Sequence, residues 1–295
     1  MSTDQIREFS FDGAPVQGRL VTLTETWRAI RTRHTYEPSS ERMLGEMVAI
    51  VAMLAQGIKL DGSVILQIRG EGSITAAMAE CTDRTTLRGI VRVASPGPET
   101  APANARGEGQ LAITLKPHRG SMYQGIVPLE TDSIPHAVER YFETSEQLPT
   151  RIWAAANREG AAGLLLQRLP DSQNARAESL DHAEASWHRL QHSADTLTDE
   201  ELLTLPAEHL LLHLFRTESV RLQPPLDLEF GCSCSRDRTA NALRIMGRAE
   251  IDEILAQEGR IDITCEFCGE TYRYDSVAAM ALFQPLVLVK PGNPP

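Results

Sequence analysis

Lysine is nearly missing. Only Lys59, Lys116 and Lys290 occur in 295 residues, and 29 basic residues face 40 acidic ones. A net charge of −11 repels a phosphate backbone unless a basic face is concealed, so nucleic acid is not an expected partner. Long apolar runs are missing as well. The longest, Met43 to Ile58, is interrupted by Glu46 and Gln56 and falls short of the ~20 apolar residues of a membrane span. The first 15 residues hold Asp4, Arg7, Glu8 and Asp12 and no apolar h-region. No secretory signal is read there, so the expected compartment is the cytoplasm, without a membrane partner. Enzyme signatures are wanting too. No GxSxG, HExxH or paired-carboxylate pattern stands out, and Gly70-x-Gly72 and Gly107-x-Gly109 lack the rest of a nucleotide-binding fingerprint. The expectation is a protein that is not an enzyme. Cysteine is scarce until late: the first 231 residues contain only Cys81, at the end of an apolar run, read as a buried inert thiol.

What is present is ordinary globular composition, 42% hydrophobic and 23% charged, which excludes wholesale disorder and a disulfide-dense mini-scaffold. Three regions follow in order. Residues 1–170 read as a core domain of mixed strands and helices. Strands are expected at Val16–Leu23, Gly62–Arg69, Ile74–Cys81, Thr86–Val93, Leu111–Leu115, Met122–Val127, Thr150–Ala156 and Gly163–Leu169. Helices are expected from Thr24 as N-cap, from Ser40 to Gln56 with Gly57 as its stop, and from Ser133 to about Thr144. Residues 95–109, rich in Pro, Gly and Ala, read as a mobile loop. Residues 171–225 form an acidic helical middle segment. From Asp171 to Gln223 ten acids face four bases, and apolar residues come in short patches such as Leu210–Phe215. Both a packed helical subdomain and a marginally stable region held by its neighbours fit that pattern. His209 and His213, four apart, read as ordinary helix positions. Pro224-Pro225 marks the next boundary, and residues 226–295 form a small C-terminal domain. The fold class expected is α+β.

Four of the five cysteines crowd into that last region as Cys232-Ser-Cys234, thirty residues, then Cys265-Glu-Phe-Cys268-Gly269. Two close pairs of thiolates are what tetrahedral zinc takes, and a small domain gains from such a staple. Between the pairs a helix is expected from Thr239 to about Gln257, divided at Gly247. Gly269 suits a knuckle that needs positive φ. One zinc ion per chain, held by Cys232, Cys234, Cys265 and Cys268, is therefore expected. A closed four-thiolate shell leaves no open position for hydrolytic water. Residues 226–295 carry eleven acids and seven bases, which argues against a nucleic-acid zinc ribbon. Redox chemistry remains: thiolates are the reactive form of cysteine, and a Cys-x-Cys disulfide closes a small, easily reduced ring. Oxidation would expel the metal and forfeit of order 10–16 kcal/mol of apparent folding free energy.

The cysteine spacing resembles that of the redox-regulated heat-shock holdases, the 33 kDa chaperonins. The resemblance extends to Tyr123-Gln-Gly-Ile-Val-Pro-Leu129, to Tyr141-Phe-Glu-Thr-Ser-Glu-Gln-Leu-Pro-Thr-Arg151, to Gly163-Leu-Leu-Leu-Gln167 and to total length. It implies an ATP-independent chaperone that is inactive while reduced and zinc-bound. Oxidation would join Cys232 to Cys234 and Cys265 to Cys268, release zinc and unfold the C-terminal domain and middle segment. The protein would tend to form a homodimer on activation and hold unfolding client proteins. The loop at 95–109 departs from the family pattern. The competing reading is a constitutive structural zinc-ribbon adaptor, which would have no use for an easily oxidised Cys-x-Cys pair.

Overall fold

The computed structural model describes residues 4–58, 60–70, 72, 74–93, 109–129, 133–170 and 177–284. Its fold is α+β, and the chain divides into two units, Met1–Gly231 and Cys232–Pro295. The first unit runs β1 (Gln5–Phe11), β2 (Ala14–Leu23), α1 (Glu25–Arg31), α2 (Pro38–Ile58), β3 (Gly62–Arg69), β4 (Ile74–Thr82), β5 (Thr86–Val93), β6 (Gly109–Pro117), β7 (Tyr123–Leu129), α3 (Ile134–Tyr141), β8 (Thr150–Ala156), β9 (Ala161–Arg168), α4 (Ala177–Ala194), α5 (Asp199–Thr204), α6 (Ala207–Leu214), β10 (Val220–Leu222), β11 (Leu226–Asp227) and β12 (Glu229–Phe230).

The strands form two six-stranded sheets. One has the order β10-β1-β2-β9-β8, with β11 also paired to β1; the other is β12-β5-β4-β3-β6-β7. Helix α2 runs between them, touching β2, β8 and β9 of the first and β3, β4 and β5 of the second. Its residues from Met43 to Ala55 are almost all buried. A helix that is apolar on every side must be enclosed, and the two sheets supply that enclosure.

Alternation along the first sheet serves two cores. Val21, Leu23, Ile152 and Leu165 face α2. Leu20, Leu164 and Leu166 face the other way, where Trp187, Leu190, Leu202, Leu210, Leu214 and Phe215 cover them. The acidic stretch thus folds as a helical layer on the outer face of this sheet. Thr198 opens α5 with a capping box shared with Glu201.

The chain departs from its sequence pattern at several helix ends. Thr24 makes no side-chain cap to α1. The cap is Asp4, whose buried carboxylate accepts from the backbone N–H groups of Thr24, Glu25 and Thr26 and from the Thr24 hydroxyl. Burial alone would raise that carboxyl, but the donated hydrogen bonds outweigh it and hold it below its ordinary value. Helix α2 starts at Pro38, whose missing N–H costs nothing in a first turn. It also continues past Gly57 to Ile58. A Cβ on Gly57 would lie 2.5 Å from Arg19 Cζ, so the glycine makes room for a buried guanidinium. Helix α3 stops at Tyr141 and is followed by one π turn, Phe142–Glu146, closed by Gln147 in the left-handed region. Of the loop expected at 95–109, only Gly109 lies within the described residues, where it opens β6.

The second unit contains α7 (Arg236–Met246), α8 (Arg248–Glu258), β13 (Arg260–Thr264), β14 (Thr271–Asp275) and α9 (Ser276–Ala281). The break expected at Gly247 is present. Its buried apolar set is small: Ala240, Leu243, Ile251, Ile261, Tyr274 and Ala279.

Candidate metal centre

Two short pieces of backbone bring the four late cysteines together. Cys232 and Cys234 lie in the extended segment before α7, whose N-cap Ser235 accepts from the Arg238 N–H at 3.2 Å. Arg238 also donates through Nη1 to Ser233 Oγ at 2.6 Å, bracing the residue between the two cysteines. Cys265 and Cys268 lie in the turn between β13 and β14, which pair in register from Arg260↔Asp275 to Thr264↔Thr271. The Cys265 N–H donates to the Glu270 carbonyl, and the Gly269 N–H to the Cys265 carbonyl, each at 2.8 Å. Gly269 has φ +74°, the left-handed conformation such a knuckle requires.

All four sulfurs lie within 4.8 Å of one another. The contacts run across the two knuckles: Cys232 Sγ is 3.6 Å from Cys265 Sγ, and Cys234 Sγ is 3.3 Å from Cys268 Sγ. A tetrahedral ion with metal–sulfur bonds of about 2.3 Å spreads its ligands about 3.8 Å apart. The set therefore fits a thiolate-held ion of zinc's size, and the four cysteines could hold a metal. As thiols they titrate high. Burial first, then the crowd of neighbouring sulfurs, pushes Cys268 up to about 12, and Cys234 shifts upward for the same leading reason. Four adjacent negative charges need a cation among them, and a divalent ion inverts the local preference toward thiolate.

Sequence patterning did not single out Tyr272 and Tyr274. On β14 they are two residues apart and share a face. The Tyr272 hydroxyl donates to Cys234 Sγ at 3.2 Å. That of Tyr274, fully buried, donates to the Arg236 carbonyl at 2.8 Å and lies 2.7 Å from Thr239 Oγ1. Their signal was the alternation of Glu270–Tyr274, which gave a strand but not its inward face.

Among the described residues, these cysteines are the one group of three or more metal-ligating side chains placed to share an ion. His209 and His213 stay on α6, with His213 Nε2 3.6 Å from Glu201 Oε1. Cys81 is buried in β4, its thiol pushed up to about 12 first by burial and then by Glu80 and Asp83.

With this geometry in view, the relatives are decisive. The model of the Hsp33 protein family matches residues 4–275. The chain belongs to the Hsp33 family. Curated relatives in that family include the 33 kDa chaperonin of Pseudomonas aeruginosa, 40% identical over 284 residues and 95% of each chain. That of Azotobacter vinelandii is 41% identical over 286 residues, 95% of this chain and 94% of its own. The crystal structure of the 33 kDa chaperonin from Thermotoga maritima matches with a TM-score of 0.78 over 95% of this chain and 97% of that one, at 20% identity. Membership of the Hsp33 family supports a heat-shock chaperone role.

Proposed function

We propose that this Hsp33-family chain is a redox-regulated, ATP-independent holdase whose resting form binds one zinc ion through Cys232, Cys234, Cys265 and Cys268. The carrying observation is the set of four sulfurs within 4.8 Å in a unit with only six buried apolar residues at its centre. So small a core depends on a metal staple. When bound, zinc would hold the sulfurs as thiolates, the form an oxidant attacks.

Hypochlorite would take two electrons from each pair of thiolates, forming one S–S bond and leaving as chloride and hydroxide. The pairs are Cys232–Cys234 and Cys265–Cys268. Closing each knuckle on itself removes both sulfur contacts that now join the two segments. The C-terminal region, residues 226–295, then unfolds, and the acidic segment 171–225 loosens from the core, 1–170. Unfolded client proteins bind the surface so exposed, and the activated chain pairs with a second copy. The protein works in the cytoplasm, and neither nucleic acid nor membrane is a partner. The chain acts by binding, not as an enzyme.

The test compares reduced and hypochlorite-treated protein, without ATP, for suppression of aggregation of a chemically unfolded client. Limited proteolysis of the same samples should leave a stable fragment ending near residue 170–180 only after oxidation. Equal holding by both forms would overturn the redox part of the proposal.

A further inference from the structure

The six residues before Cys232 cross the first unit as an extended strap. Leu226 and Asp227 pair antiparallel with Ile6 and Gln5 of β1, and Gln5 Nε2 donates to Asp227 Oδ1 at 3.2 Å. The Leu228 N–H donates to the Asp4 carbonyl at 2.9 Å. Glu229 and Phe230 then pair in parallel with Thr86 and Leu87 of β5, where the Glu229 N–H reaches the Thr85 carbonyl at 3.0 Å. The Gly231 N–H reaches the Leu87 carbonyl at 3.1 Å. A single strand of chain thus joins an outer strand of one sheet to the edge strand of the other.

Its side chains alternate. Leu226, Leu228 and Phe230 turn inward, while Asp227 and Glu229 are exposed. Leu228 is 4% exposed and belongs to the core around α2; Leu226 and Phe230 pack against that core from either side. Arg33 lies over the Phe230 ring at 4.2 Å. A Cβ on Gly231 would come within 2.4 Å of Thr86 Cγ2, so the strap ends hard against β5.

Two properties make this more than a connection. Its backbone bonds run to strand edges, the way an extended peptide adds to a sheet, and its affinity determinants are apolar side chains at every second residue. It is also followed directly by Cys232, so whatever unfolds the second unit removes its C-terminal anchor. We propose that residues 226–231 are an internal stand-in for client. The groove they fill, between β1 and the β5 edge and floored by the Leu228 socket, takes extended segments of client with apolar residues at alternate positions once the strap leaves. This deepens the holdase reading and rests on it for the event that frees the strap, but the groove's specificity does not depend on oxidation.

The experiment separates the two. Glu229→Pro removes the hydrogen bond to Thr85 while leaving the apolar side chains in place, and Leu228→Asp empties the socket as a second, independent route. Both variants are kept reduced and metal-loaded, with no oxidant and no client. The probe is a fluorescent peptide of residues Gln223–Gly231, with a control of the same composition in which Leu, Leu and Phe are adjacent. Hydrogen exchange of the 229 and 231 amides reports whether the strap is displaced, and that of residues 43–55 whether the core is intact. The expected result is at least tenfold tighter binding of the strap peptide by Glu229→Pro than by the unaltered chain, with the scrambled control weak. If the strap amides lose protection over an intact core and the peptide still binds no better, or no better than the scrambled control, the groove is not a client site. If Glu229→Pro keeps its strap protected or loses its core, Leu228→Asp decides by the same two criteria. Lack of oxidant activation in the unaltered protein would sink the redox switch and leave this result standing.

Discussion

Phe215 is the point at which the acidic layer is most exposed to a single change. Its ring is 1% exposed and closes a three-ring cluster, 4.9 Å from Phe11 at near right angles and 6.1 Å from Phe9. Truncating a buried Phe to Ala costs about 3–5 kcal/mol, and edge-on aromatic pairs such as Phe11–Phe215 account for about 0.5–1.5 kcal/mol beyond burial. Helices of six and eight residues, the lengths of α5 and α6, have no stability of their own in water and form only against a partner. The loss at Phe215→Ala therefore falls on docking, and it shifts the docked–undocked equilibrium by roughly two to four orders of magnitude. The core around α2 has a separate set of contacts and should remain. Hydrogen exchange of the reduced variant should show amides of 199–222 losing protection by that factor while those of 43–55 keep theirs, and the reduced variant should hold client without oxidant. Uniform loss across both regions would mean that the layer and core open as one unit. Unchanged protection at 199–222 would mean that Phe215 does not anchor the layer.

Three further outcomes can be checked directly. Metal analysis of reduced protein should give one zinc per chain, falling in Cys265→Ser; full occupancy in a chain lacking both Cys265 and Cys268 would remove the site. Tyr272→Phe, which deletes the hydroxyl donated to Cys234, should weaken metal retention against a competing chelator by about tenfold or more, as loss of an outer-shell partner does; unchanged retention would leave that hydrogen bond without a role. Asp4 is held below the ordinary carboxylate range, so its stabilisation is complete above the unfolded value of about 3.9 and is lost as pH falls through the lower folded value. Asp4→Asn should lower the denaturant midpoint at pH 7 by an amount worth about 1–3 kcal/mol and flatten the fall in stability below pH 4; a slope identical to that of the parent would place the acid sensitivity elsewhere.

The parts of this fold legible in the sequence are those governed by local pattern. Gly62–Arg69 reads as a strand from its own apolar content, and the expected bounds hold. The left-handed pair Asp83 and Arg84 sits where a polar turn was expected between two strands. In the candidate centre, cysteine spacing alone named the four residues whose sulfurs meet. What was not legible depends on partners distant in the chain. Strand β1 interleaves Arg7 and Glu8 among its apolar residues, and Arg7 is satisfied only by Glu208, 2.7 Å away. Strands β10, β11 and β12 have two or three residues each, too few to carry a period; the edges of β1 and β5 impose their conformation. Asp4 caps a helix that starts twenty-one residues later, which no N-cap pattern encodes. The strap pattern Leu-Asp-Leu-Glu-Phe lay in plain view, but its alternation acquires meaning only against the socket that buries Leu228.

The most direct test of the account is one oxidant titration of a single protein sample, followed by zinc release, free-thiol count and suppression of client aggregation together. The account predicts that the three curves superimpose, with four thiols lost and one zinc released per chain as holding appears. Full holding of client by protein that still carries its zinc and all four thiols would contradict it.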